Sequence, residues 1–324
     1  MTSTQVLRRS ALWAVGLSLS ALSAVALAQT RTIHLVVPYG TGAVQDTIAR
    51  TFSNELGQAL GATVVVENKP GAGGTVGTAQ VAKSAPDGNT LVVAAASHHL
   101  AGHLYAKLPY DPLKDFTGVA LLGYTGYVIA APANLGANNL AEFVRIVKAK
   151  PGAYNYASAG NGSATHLGMA SFNARAGLDM QHIPLKSTGD AVNEVLAARA
   201  QSVTSATIGL AGFRNDPRIK LLAYTGQHRS KFMPELPTAA EAGFPGYRFD
   251  SWFGLLAPAG TPKAEIDKIN AAVAKVLKDP AVQERFTRLG VEVDLMSAEG
   301  FNQVLKADWD NAAQIVKSSG ARID

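Results

Sequence analysis

Two stretches of this chain have the residue types and spacing to hold an anion through the backbone. One is Val36-Val-Pro-Tyr-Gly-Thr-Gly-Ala-Val-Gln-Asp46; the other is Tyr156-Ala-Ser-Ala-Gly-Asn-Gly-Ser-Ala-Thr-His166. In each, an apolar extended run breaks at paired glycines, Gly40 and Gly42 or Gly160 and Gly162, and re-enters a helix near Val44 or at Ser163. A strand that ends in a glycine turn and opens a helix aims free N–H groups and a positive helix end at one point, which suits a carboxylate or another oxyanion. Two such turns facing each other would form a clamp. Ser163 is also of a type that caps a helix N-terminus. Asp46 falls in a first helical turn, where it either offsets the helix dipole or receives an amino or hydroxyl group of a ligand.

Catalytic and metal chemistries have weaker footing. Ser163 and His166 are one helical turn apart, but Gly160-Asn-Gly-Ser-Ala164 is not a Gly-x-Ser-x-Gly elbow and no local acid orients the histidine. His99 and His103, with His98 adjacent, have a spacing that could chelate zinc on a helical face. Gly102 and the lack of an acid close in sequence predict instead a loop carrying surface or cleft-lining histidines. Asn68 to Gly77 lacks the third glycine of a dinucleotide fingerprint and the Lys-Ser or Lys-Thr of a P-loop, so it reads as a structural turn. The chain contains no cysteine, which excludes disulfides, thiolate metal sites and a cysteine nucleophile.

The elements that must position the two turns follow from periodicity. His34 to Tyr39 predicts a strand, Val44 to Leu60 a helix with Ile48, Phe52, Leu56 and Leu60 on one face, and Thr63 to Glu67 a second strand. This is the opening of a βαβ unit and implies a parallel sheet. A helix to about Ala85 and a strand Thr90 to Ala96 continue the alternation expected of an α/β domain. Val119 to Ala131 is a long apolar segment suited to leaving one lobe for another. A second series follows: helix Asn139 to Lys150, strand Tyr154 to Ala159, helix Ser163 to Ala176, strand Gln181 to Pro184, helix Gly189 to Ala198, and strands Ser202 to Ile208 and Ile219 to Tyr224. Trp252 to Pro258 can return to the first lobe, and helices at Pro262 to Leu277, Ala281 to Leu289 and Ala298 to Lys317 close the chain, with Pro262 and Pro280 suitably placed at helix starts.

The first residues read as a targeting segment. Arg8-Arg9 precede an apolar run from Ala11 to about Ala26, and Ala26-Leu27-Ala28 supplies the small-x-small pattern for cleavage after Ala28. Ser10-Ala11-Leu12 fits a twin-arginine motif poorly, so ordinary secretion is expected. Removing those two arginines leaves 27 Lys and Arg against 24 Asp and Glu, a formal charge of +3. So mild a charge, with no basic run or aromatic-basic stripe, gives no reason to expect nucleic acid as a partner.

Taken in order, Val36-Val-Pro-Tyr39 with Asp46, Val65 to Gly74, Ala85-Pro-Asp-Gly88, Leu108 to Pro112, Tyr156 to His166 and Leu236 to Gly246 resemble the substrate-binding proteins of tripartite tricarboxylate transporters, the Bug receptors. The likeness spans nearly all of the chain after the signal. It implies an α/β, two-lobed periplasmic-binding-protein-like (Venus flytrap) fold, two parallel-rich sheets flanked by helices and joined by two crossing strands. The expected division is a signal peptide over 1–28, lobe 1 over 29–122 plus 254–324, and lobe 2 over 123–253. It further implies a periplasmic, non-enzymatic receptor, working as a monomer without a cofactor, that passes a small carboxylate to membrane transporter components. The ligand-binding residues it suggests are Tyr39, Gly40, Thr41, Gly42, Ala43 and Asp46 in the first turn, Ser97, and Ser158, Ala159, Gly160, Asn161, Gly162, Ser163, Thr165 and His166 in the second. The first turn departs from the family's Pro-Pro-Gly-Gly-like pattern: Gly40-Thr41-Gly42-Ala43 lacks the prolines and adds a hydroxyl. A sensor of the same fold signalling to a membrane kinase, or a metal-dependent or hydrolytic enzyme, are the alternatives.

Overall fold

The structure is a computed structural model that describes residues 31–185 and 187–319. The signal-peptide reading of residues 1–28 lies outside the described residues. From β1 (Thr32–Val37) the chain enters α1 (Val44–Leu60) and returns in β2 (Thr63–Asn68) parallel to β1. Ile48, Phe52 and Leu56 lie on the buried face of α1, as their four-residue spacing requires, and Gly61 ends the helix in the left-handed conformation. Then come α2 (Thr75–Ala82), β3 (Thr90–Ala95) parallel to β1, α3 (Ser97–Leu104) and the 17-residue strand β4 (Phe116–Pro132). The second half holds α4 (Leu140–Lys148), β5 (Tyr154–Ser158), α5 (Ala164–Ala176), β6 (Met180–Pro184), α6 (Thr188–Leu196), β7 (Ser202–Ala206), the short α7 (Thr207–Ala211) and β8 (Ile219–Tyr224). β9 (Asp250–Pro258), α8 (Lys263–Leu277), α9 (Pro280–Arg288) and α10 (Ala298–Ser319) complete the order.

The strands lie in the order β2-β1-β3-β9-β4-β7-β5-β6, with β8 also on β4. Parallel pairs sit at both ends: β1 with β2 and β3, and β5 with β6 and β7. The centre is antiparallel. β4 pairs with β9 from Phe116 to Gly126, then with β7 and β8 from Tyr127 onward, so one strand belongs to both halves of the sheet. Two lobes joined through β4 and β9 are thus the architecture implied by the family resemblance. One core packs α1 and α8 on β1, β3 and β9, with Phe52, Leu255, Ile269 and Phe286 at its centre. Another gathers Phe143, Tyr156, Leu167 and Phe172 of the second half. α10 reaches both halves: Phe301 and Leu305 pack with Val36, Val92 and Trp252, whereas Ala312, Ile315 and Val316 pack with the Phe143–Phe172 core.

Two local expectations need correction. Ser97–Leu104, predicted as a loop, is the helix α3. Its Gly102 sits where α3 presses on α10, and a Cβ there would strike the Trp309 ring and Pro112, so glycine serves close approach rather than helix breaking. The strand predicted over Ser202 to Ile208 stops at Ala206 and gives way to α7, whose Thr207 hydroxyl donates to the Gly126 carbonyl at 2.8 Å.

Candidate functional site

Both glycine-rich turns reach one cavity of about 490 Å3, of a size suited to a small organic ligand. Tyr39, Val44 and Gln45 come from the first turn and its helix, and Asn161, Gly162, Ser163 and Ala164 from the second. α3 contributes Ser97, Leu100 and Leu104, β4 Tyr127, β9 Asp250, Ser251 and Phe253, and α10 Asp308, Asn311, Ala312 and Ile315. Apolar and aromatic walls therefore enclose a few convergent polar groups.

The second turn is built by its own hydrogen bonds. Ser163 caps α5: its Oγ accepts the His166 N–H at 3.2 Å and donates to the Gly160 carbonyl at 2.7 Å. Thr165 Oγ1 accepts the Ala159 N–H at 2.8 Å, and Ser158 Oγ accepts the Gly160 N–H at 3.0 Å. Gly162, at φ 73°, donates its N–H to His166 Nδ1 at 3.1 Å. That bond requires a neutral imidazole, and burial shifts the His166 pKa downward to favour one. Beside His166 the His182 ring stacks at 4.0 Å between centroids and 10° between planes, and the Tyr156 ring lies nearly parallel to both, 4.9 Å from His182 and 6.2 Å from His166. His182 also lies 2.6 Å from Ser158 Oγ through Nε2; burial and its histidine neighbour lower its pKa to about 4. Ser158, Thr165 and His166 thus brace the turn from inside, while Asn161, Gly162 and Ser163 face the cavity.

The first turn is organised around Asp46. Its carboxylate accepts the Gly42 N–H at 2.9 Å, the Asn68 amide at 3.0 Å and Arg50 Nε at 2.9 Å. Burial works to raise its pKa, but these donors prevail and hold the carboxyl below its usual range. Asp46, Gly40, Thr41, Gly42 and Ala43 do not line the cavity, whereas Tyr39 does, with its hydroxyl 3.0 Å from Ser97 Oγ. The Asp46 carboxylate satisfies the turn itself, in the manner of a structural bracket.

Ser163 and His166 do not form a nucleophile–base pair. The serine hydroxyl donates to the Gly160 carbonyl, and the imidazole Nδ1 accepts from Gly162. The α3 histidines are engaged by other groups. His98 Nε2 is 3.0 Å from the Pro112 carbonyl, and burial with His99 beside it lowers its pKa to about 3. His99 Nδ1 meets Asp308 at 2.8 Å, an acid 209 residues away that spacing along the chain could not reveal. No group of three or more His, Cys, Asp or Glu suited to a metal occurs among the described residues. Sequence reasoning missed Asp250, Asp308, Asn311 and Ile315 as cavity residues. They arrive from β9 and α10, and only tertiary packing brings them near the turns.

A mixed sheet shared by two lobes, with a cavity reached by a helix N-terminus, defines a solute-binding protein of the periplasmic-binding-protein class. Residues 48–321 match the family profile described as the tripartite tricarboxylate transporter family receptor, and the chain belongs to that family. Protein BugT of Bordetella pertussis is 31% identical over 296 residues, covering 90% of each chain. The structure of periplasmic binding protein BugD superposes with a TM-score of 0.72 at 33% identity, over 90% of this chain and 98% of that one. MatC from Rhodopseudomonas palustris with bound malate gives a TM-score of 0.72 at 32% identity, over 89% and 99%.

Proposed function

We propose that the protein is a periplasmic receptor, not an enzyme, that captures a small organic carboxylate between its lobes and delivers it to a tripartite tricarboxylate-type membrane transporter. The observation that carries this reading is the shared cavity: the N-terminal end of α5, with Asn161, Gly162 and Ser163, is on one side, and Tyr39 with Ser97 on another. Malate bound to MatC supports a carboxylate as the ligand class. The lobes divide at about residues 122 and 253, after removal of residues 1–28, and β4 and β9 act as the hinge. A ligand touching both turns has greater affinity for the closed state, so binding shifts the population toward closure. Among the described residues no helix is long and apolar enough to cross a membrane.

A thermal-shift panel tests the reading, with malate, aliphatic and aromatic carboxylates, amino acids, phosphate, sulfate and zinc. A carboxylate at about 100 times its Kd stabilises the protein by about 2.7 kcal/mol, a readily measured rise in Tm. A response confined to zinc or phosphate overturns the proposal.

A further inference from the structure

Among the described residues that line the cavity there is no Lys, Arg or His, and the charged side chains are Asp250 and Asp308. Asp308 is fixed in place: its Oδ2 receives both His99 Nδ1 and Trp252 Nε1 at 2.8 Å, and its Oδ1 has no partner among the described residues. Asn311, one helical turn on, lines the same cavity. Asp250 pairs with Arg248 at 2.7 Å, which cancels one of the two charges. A neighbouring cavity of about 590 Å3 shares Asp250, Asp308 and Asn311 with the first. Its walls hold His228, Arg229, Lys231 and Arg248 against Asp250, Glu292, Asp294 and Asp308, with Arg229 already paired to Glu241 and Arg248 to Asp250. The floor beneath both cavities is therefore net acidic, opposite in character to the helix N-terminus at Ser163.

We infer that this cavity selects among carboxylates by the charge at the far end of the ligand, with Asp308, supported by Asp250 and Asn311, favouring a cationic nitrogen there and rejecting a second carboxylate. The inference rests on the receptor reading above and narrows its ligand class to amino-carboxylates. In a partly desolvated cavity, like charges a few ångströms apart repel strongly, and an ammonium in the same place is attracted. A singly charged carboxylate can be held by the turn's backbone and hydroxyls without a cationic side chain. A dianion brings a second charge to a wall whose charged cavity-lining side chains are carboxylates, with the nearby Arg248 already engaged by Asp250.

The test is calorimetric titration of the purified protein with matched probes that differ only at one end. The aliphatic set is hexanoate, adipate and 6-aminohexanoate, with butanoate, succinate and 4-aminobutanoate as a shorter set. The aromatic set is 4-methylbenzoate, terephthalate and 4-(aminomethyl)benzoate. In the best-fitting set the amino-carboxylate binds at least roughly tenfold more tightly than the dicarboxylate, a difference of about 1.4 kcal/mol. Asp308→Asn, which keeps an oxygen for His99 and Trp252, reduces that ratio to about threefold or less. Should that variant not fold, Asn311→Lys places a cation on the same wall and reverses the order. A dicarboxylate that binds wild-type protein as tightly as its amino partner overturns this inference and leaves the receptor reading standing. Failure of every carboxylate to bind overturns both.

Discussion

The N–H of Gly162 donates to Nδ1 of His166 across 3.1 Å, and the His166 ring lies 4.0 Å above that of His182. The turn aimed at the cavity is therefore held by a neutral imidazole that is itself stacked on another. Both pKa values are lowered, His182 to about 4, so each ring takes up a proton more readily in the unfolded chain than in the folded one. Stability from this pair is complete above the ordinary histidine pKa of about 6.5 and is lost as pH falls from there toward about 4. With partial solvent exposure discounted, the loss is on the order of 1–2 kcal/mol. Urea midpoints at neutral and mildly acidic pH measure it, and His182→Gln flattens the slope. An equally steep profile in that variant means that the pair is not the source.

Gly162 has φ 73° and faces the cavity, whereas Gly61 has φ 61° at the C-terminus of α1, with open space where its Cβ would stand. Leucine at either position imposes a similar backbone strain of roughly 1–2 kcal/mol. Only Gly162→Leu places a side chain against the ligand. Calorimetry with whichever carboxylate scores in the thermal-shift panel is expected to show binding lost in Gly162→Leu and retained in Gly61→Leu. Undiminished affinity in a folded Gly162→Leu protein excludes the second turn from the site.

Asp46 gathers the Gly42 N–H, Asn68 and Arg50 on one buried carboxylate. Asp46→Ala strands these donors and is expected to cost about 2–4 kcal/mol at neutral pH. The carboxyl pKa is lowered, so its contribution is present above the unfolded value of 3.8 and fades as pH falls through the folded value. The gap between wild type and variant in denaturant titrations should accordingly close in acid. A ligand that gains or loses affinity in a folded Asp46→Asn protein would assign Asp46 to the ligand rather than to the turn.

Local sequence pattern accounts for some of these positions and not for others. α1 was predicted from Val44 to Leu60, its observed limits, because Ile48, Phe52 and Leu56 recur every four residues and glycines bound it on both sides. The turns at Gly40 and Gly160 are punctuated the same way, by a strand that stops at glycine and a helix that follows. α3 carries no such signal. Ser97-His-His-Leu-Ala-Gly-His-Leu has polar residues on buried positions, and His98 and His99 are buried because Pro112, Asp308 and Trp252 arrive to meet them. Likewise Asp308 and Asn311 read as the polar face of a surface helix until α10 is seen lying along the cavity. Local pattern located the strands and turns. Contacts more than 200 residues apart decided the cavity's acidic wall.

α3 and α10 press on each other at Gly102. Gly102 is covered by the Trp309 ring, and His103 packs on the same ring at 4.0 Å with Nε2 3.1 Å from the Trp309 carbonyl. α3 brings Ser97, Leu100 and Leu104 to the cavity and α10 brings Asp308, Asn311 and Ile315, so their spacing sets the width of that wall. Gly102→Val inserts atoms where none fit, and overpacking of this kind costs typically about 1–3 kcal/mol. The helices must separate or Trp309 must leave its rotamer, and in either case Asp308 moves relative to His99. A lowered denaturation midpoint with altered tryptophan emission is the expected result. Wild-type stability and emission in Gly102→Val would show that α10 does not press on α3 here, and with it would fall the account of how Asp308 is held at the cavity.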